Sequence, residues 1–312
     1  MSAIRGRWLL AGALLLVGLV NWALAGYSGL ERLATIAIFA ILAMSLDLLV
    51  GFAGMVSLGH ALFFGLGAYA MAGLCVFGGL SAAPAMGLSV FAVGGAALVI
   101  GALVVRLGGV FFIMITLAAG QMAFAYFEKA HLWGGNGGLS GVPRLDFEAI
   151  GIDLVDPANF SLLALAVAAL VFAALDRVVR SPFGQVLAAL HQNPQRTRAL
   201  GAPVGRYRLA AFTVSGMIAG LAGSLMAQLT GFVSPDLMVW TSSGEVLIMV
   251  ILGGAGSLAG PAAGAAVWIV LRHALAGWTA HWMFAMGLVF IAIVLLTERG
   301  LFGALERRRR ST

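Results

Sequence analysis

The feature that most constrains this chain is a succession of apolar segments, each long enough to cross a lipid bilayer. A membrane-spanning helix needs about 20 mostly apolar residues, because about 30 Å of hydrocarbon must be crossed. The sequence therefore predicts an all-α fold, a polytopic membrane helix bundle with about ten spans. Loosely bounded, the segments are 8–25, 33–50, 56–79, 85–105, 110–127, 161–176, 209–229, 242–258, 261–276 and 279–296.

Composition supports the same fold class. Only 10% of the 312 residues are charged, whereas 62% are hydrophobic. A soluble domain carries about a quarter charged residues, because polar groups must cover its surface. The net charge of +6 comes from arginines that lie between apolar segments. That placement is typical of an orientation signal in the lipid bilayer, and it does not indicate nucleic-acid binding. The first apolar run is long for a signal peptide and is interpreted as a retained helix.

Arginine placement also predicts which loops face the cytoplasm. Loop 177–208 contains six arginines and no acidic residue, and residues 307–310 are all arginine. Loop 128–160 contains five acidic residues against two basic ones. We therefore expect a single transmembrane domain over 1–312, with loop 177–208 and both termini in the cytoplasm and loop 128–160 outside. The outer loop is rich in glycine and is expected to form ordered turns with a short strand or helix.

The cytoplasmic loop carries the pattern of a short amphipathic helix. Ser181 and Pro182 form an N-terminal cap and first turn, and Val186, Leu187 and Leu190 follow at helical spacing. Pro194 and the segment 201–203 are expected to end or bend this helix. Two interpretations stay open from the pattern alone. The helix lies on anionic lipid, or it is a docking element for a cytoplasmic protein.

Two glycine-rich stretches interrupt the apolar segments in opposite halves of the chain. They read GFAGMVSLGHALFFGLGAY at 51–69 and LGGAGSLAGPAAGAA at 252–266. Paired broken helices of this kind are typical of a transporter's binding site, where helix N-termini attract anionic groups. Ser57 and Ser257 offer hydroxyls that replace lost backbone partners. An inverted repeat is one arrangement that the pairing allows, and close helix packing through small residues is the alternative without a substrate.

Ionisable residues inside a bilayer are expensive, so each one is a functional hypothesis. The alternatives are an interfacial position for Asp47 and Glu245 and a packing role for His60. Arg272 and His273 are two further ionisable residues within the apolar segments. The candidate substrate-pathway residues are Asp47, Ser57, Gly59, His60, Glu245, Gly254 and Ser257.

The sequence offers little for chemistry or cofactors. No second ligand stands beside His60 at metal-binding spacing, so no metal site is predicted. A serine hydrolase built on Ser57 and His60 is disfavoured because the G-x-S-x-G pattern is absent at Ser57. The only lysine, Lys129, is not preceded by a phosphate-binding glycine loop. This chain is therefore expected to lack catalytic residues and cofactors and not to be an ATPase.

Four stretches together carry a family resemblance over roughly 33–296. The most specific reads RSPFGQVLAALHQNPQRTRALGAPVGRYRLAAFTVSGMIAGLAGSLMA at 180–227, and the others lie at 45–72, 108–144 and 250–265. In this order the stretches resemble the LivM-like permease subunits of ATP-binding-cassette importers for branched-chain amino acids. Two positions depart from the family pattern. Asp47 stands where Asn is usual, and Met55 stands where Gln is common.

The resemblance implies an import complex in the bacterial inner membrane. Its expected partners are a second homologous permease, two cytoplasmic ATP-binding subunits and a periplasmic substrate-binding protein. The alternatives are the same architecture importing urea or short amides, or a secondary amino-acid transporter without an ATPase. The resemblance also implies that loop 177–208 is the coupling loop to the ATPase. The candidate coupling residues are Arg180, Phe183, Gly184, Leu187, Leu190, Asn193, Arg198 and Gly201.

Overall fold

The computed structural model describes residues 2–24, 26–145, 153–278 and 281–296. Each of the ten predicted apolar segments corresponds to a helix, and two amphipathic helices lie between the sixth and the seventh of them. The apolar helices are α1 (Ser2–Leu24), α2 (Tyr27–Asp47), α3 (His60–Val76), α4 (Ala82–Val104), α5 (Val110–Lys129), α6 (Pro157–Arg180), α9 (Val204–Thr230), α10 (Trp240–Gly253), α11 (Ala259–Trp278) and α12 (Trp282–Leu296). The amphipathic ones are α7 (Pro182–Gln192) and α8 (Pro194–Ala199).

The all-α membrane fold is confirmed, with ten as an approximate number of spans. Six helices are long and apolar enough to cross a membrane by length and composition. Four shorter apolar helices belong to α1, α3, α10 and α12. The 14 residues of α10 cover only about 21 Å at the rise of an α-helix, which is less than the hydrocarbon core of a bilayer.

The centre of the bundle is formed by α2 and α9, around which the other helices pack. Glycines on α9 allow the backbone of α3 to pack closely against it. A Cβ atom at Gly67 of α3 would overlap the backbone of Gly220, and one at Gly223 would overlap the Phe64 carbonyl. Small residues at such crossings let helix backbones approach within a bilayer, where no hydrophobic effect drives helices together.

One end of the bundle, here called the β end, carries a small ribbon. Strand β1 (Leu139–Ser140) pairs antiparallel with β2 (Phe232–Val233). Two 3-10 turns, His131–Trp133 and Gly135–Gly137, precede β1. The predicted ordered turns of loop 128–160 are therefore confirmed where the chain is described. Its acidic residues Asp146 and Glu148 lie outside the described residues, as do the arginines of 307–310.

The opposite end, here called the α7 end, carries α7 and α8. The Ser181 hydroxyl accepts a hydrogen bond from the Gly184 N–H, which confirms the predicted cap of α7. Pro194 separates the two helices and begins α8, where the Asn193 side chain accepts from the Arg196 N–H. A proline is tolerated in the first turn of a helix, because the N–H that it lacks would have no helical partner there.

Both glycine-rich stretches break their helices at the α7 end. After α2 the chain makes a π-helical turn, Leu48–Phe52, and regains helical structure only at α3. Between α10 and α11 it is non-helical over 254–258. In both cases the preceding helix runs toward the α7 end and the following helix runs away from it. Both breaks therefore lie at the same end of the bundle, and the inverted repeat stays a prediction.

Candidate functional site

The two breaks meet at the side chain of Asp47, which is fully buried. Its Oδ1 accepts a hydrogen bond from the Gly256 N–H at 2.7 Å, and its Oδ2 accepts one from the Leu258 N–H at 3.0 Å. These two N–H groups belong to the turn before α11, where no helical carbonyl can receive them. A carboxylate also interacts favourably with the positive end of a helix dipole. Asp47 therefore holds the second break onto the end of α2.

The backbones of the two breaks touch beside this carboxylate. A Cβ atom at Gly51 would overlap the Gly256 backbone nitrogen and Oδ1 of Asp47. Gly256 has φ of 82°, in the left-handed region that favours glycine. Asp47, Gly51, Gly256 and Leu258 are here called the junction. Arg7 of α1 joins it by donating to the Gly256 carbonyl at 2.9 Å.

The serines of the two stretches satisfy backbone groups at the breaks. Ser57 Oγ accepts from the Gly59 N–H at 3.3 Å. Ser257 Oγ accepts from the Gly260 N–H at 3.0 Å and donates to the Gly254 carbonyl at 2.8 Å. Both hydroxyls thus replace missing helical partners, as the sequence predicted. Gly59 is required by packing, because a Cβ atom there would overlap the Thr116 carbonyl of α5.

His60 lies at the start of α3 and is fully buried. Its Nε2 is 2.8 Å from Ser45 Oγ, and its ring meets Phe63 edge to face. The adjacent Ala61 N–H donates to Ser243 Oγ at 2.9 Å, which ties α3 to α10. His60 is thus a helix-packing histidine, and it does not hydrogen-bond Ser57. Among the described residues no group of three His, Cys, Asp or Glu side chains is arranged to hold a metal ion.

Glu245 lies apart from the junction. It is on α10, partly exposed, with its Oε2 3.4 Å from the guanidinium of Arg272 on α11. The structure thus gathers Asp47, Gly254 and Ser257 at the second break, and places Ser57, Gly59 and His60 around the start of α3. Of the predicted pathway residues, only Glu245 stands on an open surface in this arrangement.

The apolar stripe of α7 faces its own bundle. Leu187 and Leu190 are fully buried, and a Cβ atom at Gly184 would overlap the backbone of Val179. Phe183 stacks on Tyr207 of α9 at a centroid distance of 5.5 Å. These residues anchor α7 to the membrane helices because burying the stripe removes apolar surface from water. Leu187 and Leu190 therefore do not contact another protein directly, because the bundle buries both side chains.

The other predicted coupling residues surround this anchor. Arg180 forms a 2.7 Å ion pair with the buried Asp176 at the end of α6. Asn193 and Arg198 are exposed on α8 and at its cap. Gly201 has φ of 86° and reverses the chain toward α9. Just before it, the Leu200 side chain is 81% exposed.

One residue that the pattern did not single out connects α7 to the junction. His191 Nδ1 lies 3.0 Å from the Gly51 carbonyl, and its ring packs against Gly54. The signal for it was present in the sequence, because His191 follows Leu187 by one helical turn and shares its face. No local pattern in the sequence indicated the distant partner of Arg7, the Gly256 carbonyl.

The geometry can be set beside known proteins. The family model described as "Branched-chain amino acid transport system / permease component" matches residues 30–296. The chain belongs to this family. The permease is 29% identical over 310 residues to the high-affinity branched-chain amino acid transport system permease protein LivM of Escherichia coli (strain K12), covering 92% of this chain and 73% of that protein. LivM of Salmonella typhimurium gives the same identity and coverage.

A more distant relative matches part of the permease. The autoinducer 2 import system permease protein LsrC of Klebsiella pneumoniae is 32% identical over 197 residues, which cover 58% of this chain and 54% of the relative. As a member of its family, the permease is a multi-pass membrane component of a transport system. Such a system includes ATP-binding and substrate-binding partners, and the permease itself is not the enzyme.

Proposed function

We propose that this permease is one membrane half of an ATP-driven importer of branched-chain amino acids in a bacterial inner membrane. The names of its relatives support the substrate class. The observation that carries the mechanism is the contact between His191 of α7 and the Gly51 carbonyl. Through it, the amphipathic helix at the surface touches the point where both broken helices meet.

The proposed complex contains a second homologous permease, two cytoplasmic ATP-binding subunits and a periplasmic binding protein. The α7 end is proposed to be the cytoplasmic one, because α6–α9 bring six arginines there. Both termini are proposed to face the same side. The β end then faces the binding protein. High affinity for the amino acid resides in the binding protein, and the permease offers a weak, transient site.

The ATPase is proposed to dock on the exposed side of α7 and α8. Leu200 supplies an apolar contact, and Arg196 and Arg198 supply charge beside it. Because α7 is fastened to the bundle through its buried stripe, a push on the exposed face moves α7 as a body.

That movement reaches both breaks through the junction. His191 contacts Gly51, which lies in the π-helical turn that continues α2. Asp47 at the end of α2 binds the turn before α11. A displacement of α7 is therefore transmitted to the start of α3 and to the start of α11 together, and these are the half-helices proposed to line the path.

The test compares variants of the full complex in proteoliposomes, with ATP hydrolysis and leucine uptake measured together. His191→Ala is expected to assemble normally and to lower leucine transported per ATP about tenfold, since losing a hydrogen bond of about 1.4 kcal/mol shifts a coupled equilibrium by that factor. Gln192→Ala is the matched control, because it changes the exposed neighbour on α7.

Two outcomes would contradict the proposal. Leucine uptake driven by an ion gradient without ATP would identify a secondary transporter. A transport ratio unchanged in His191→Ala would remove the coupling path through Gly51. Offering urea in place of leucine checks the substrate class, since ATP-dependent urea uptake with no leucine uptake would assign the complex to small amides.

A further inference from the structure

An ion pair lies inside the apolar part of the chain, away from the junction. Arg272 belongs to α11, a candidate membrane span, and Glu245 to the neighbouring apolar helix α10. The side chains remain 47% and 31% exposed, respectively. Charged side chains within membrane helices almost always face the bundle interior or a water-filled cavity, because hydrocarbon does not solvate them. This surface is therefore not expected to be covered by lipid tails.

The geometry of the pair differs from that of a structural ion pair. One guanidinium nitrogen, NH1, approaches one carboxylate oxygen at 3.4 Å. Within the described part of the chain, neither side chain makes another hydrogen bond. The pair of Asp176 and Arg180 shows the contrast, since it closes to 2.7 Å around a buried carboxylate. The α10–α11 pair thus keeps most of its hydrogen-bonding capacity free.

A third residue, Trp282, orients the Arg272 guanidinium without occupying its N–H donors. The ring of Trp282 on α12 lies 5.2 Å from the Arg272 guanidinium carbon. A cation–π contact orients the guanidinium plane through its charge and leaves its N–H donors available. The donors that remain suit a carboxylate, which arginine binds in a two-pronged geometry.

We propose that Glu245 and Arg272 form a transient binding site for a zwitterionic α-amino acid. Its carboxylate binds the Arg272 guanidinium, and its ammonium group binds the Glu245 carboxylate. The inference rests on the proposed import of amino acids. It names the two residues of this chain that pair with the ammonium and carboxylate groups of the substrate.

The chemistry of the pair matches this ligand in two ways. A zwitterionic α-amino acid carries one charge of each sign on two groups bonded to the same carbon atom, so it can exchange one ion pair for two without adding net charge. In the empty state Glu245 and Arg272 compensate each other's charge at a partly exposed position. A weak site results, because the substrate must first separate the pair, and a weak site releases substrate readily.

The same chemistry is present in a zwitterionic lipid headgroup, so the test is run without one. The full complex is placed in nanodiscs of phosphatidylglycerol alone, with Cys75→Ala to remove the one native thiol of this chain. Ala276→Cys, which lies one helical turn after Arg272 on the exposed side of α11, is then labelled with 2-aminoethyl methanethiosulfonate, so that Arg272 and Glu245 both stay in place. Val270→Cys is the matched control, since Val270 is 58% exposed on the same helix.

Leucine is expected to slow labelling of the cysteine at position 276 about fivefold when it is about fourfold above its dissociation constant, because only empty sites react. Isovaleramide, which has the same branched chain and no charge, is expected not to protect. Labelling at position 270 is expected to ignore both compounds. If Ala276→Cys does not assemble, Thr241→Cys, one helical turn before Glu245 on α10, tests the same site from the other side.

Three results would overturn the proposal. A cysteine at position 276 that no reagent reaches would place the pair in a sealed interface. Protection by leucine and isovaleramide alike, or by neither, would remove the role of charge. Protection that appears only after phosphatidylethanolamine is added would assign the pair to a lipid headgroup.

A charge exchange separates this role from a structural one. Glu245→Arg combined with Arg272→Glu keeps the ion pair but reverses the direction in which a zwitterion must lie. Uptake restored to the native rate would identify a structural pair, whereas uptake below about a tenth of it supports the site, a loss of about 1.4 kcal/mol or more in binding. Labelling does not use ATP, so ATP-independent uptake would overturn the proposed function and leave the protection pattern unaffected.

Discussion

Asp47 and Glu245 are two carboxylates within apolar helices, and the structure treats them in opposite ways. Asp47 is fully buried, and each of its oxygens accepts a backbone N–H. Glu245 is partly exposed and has one long contact with Arg272. A carboxylate whose acceptors are committed to the fold holds structure together, whereas one with free acceptors can bind a ligand. Both residues look the same in the sequence, and only their partners separate them.

The largest expected effect on stability comes from removing the Asp47 carboxylate, whose two oxygens each accept a backbone N–H. Asp47→Ala leaves the Gly256 and Leu258 N–H groups buried without acceptors. Each unsatisfied group costs about 1–3 kcal/mol, so we expect a loss of roughly 2–6 kcal/mol in the free energy of unfolding. Thermal unfolding of the purified permease in detergent measures this loss.

Asp47→Asn sharpens the same experiment. Asn keeps the shape of the side chain, and its single carbonyl oxygen keeps one acceptor. We expect about half the loss of Asp47→Ala, because one of the two N–H groups stays satisfied. An alanine variant as stable as the native permease would show that Asp47 does not hold the second break.

A smaller effect is expected from crowding the junction while keeping the carboxylate. Gly51→Ala adds a methyl group that overlaps the Gly256 backbone and Asp47 Oδ1. Overpacking of this kind costs about 1–3 kcal/mol. The control is Gly244→Ala, because a Cβ atom there meets no neighbouring atom within 4 Å. Equal unfolding temperatures for the two variants would contradict the close approach of the two breaks.

The sequence predicted much of the fold because membrane helices are marked locally. Apolar length gave the helices, and Ser181 gave the start of α7 through its capping pattern. Glycine content marked both breaks. These signals need no knowledge of distant partners, since a span or a cap is defined by residues within a few turns.

The arrangement of the site could not be predicted in the same way. The hydrogen bond from Gly256 to Asp47 joins residues 209 positions apart, and no local pattern encodes such a contact. Periodicity showed that α7 has an apolar face, but it could not show what covers that face. Leu190 therefore looked like a docking residue, and the bundle itself buries it.

The smallest effect on stability is expected from changing Glu245, the partly exposed carboxylate with one long contact. Glu245→Gln keeps the shape of the side chain and removes its charge. Exposed ion pairs contribute about 0–1 kcal/mol, so the free energy of unfolding should change by no more than about 1 kcal/mol. Leucine uptake by the reconstituted complex should nevertheless fall, because the ammonium group of the substrate loses its counter-charge.

Arg180→Gln, which breaks the tight pair with Asp176, is the matched control and should have the reverse profile. It leaves the buried Asp176 carboxylate without its charged partner, with only the Trp8 indole N–H still donating to it among the described residues. Stability should therefore fall by more than in Glu245→Gln, and any loss of uptake should follow the loss of folded permease. If Glu245→Gln destabilises the permease as much as Arg180→Gln does, the two ion pairs are of one kind. The distinction between a carboxylate that holds the fold together and one that is free to bind a ligand would then not apply to Glu245.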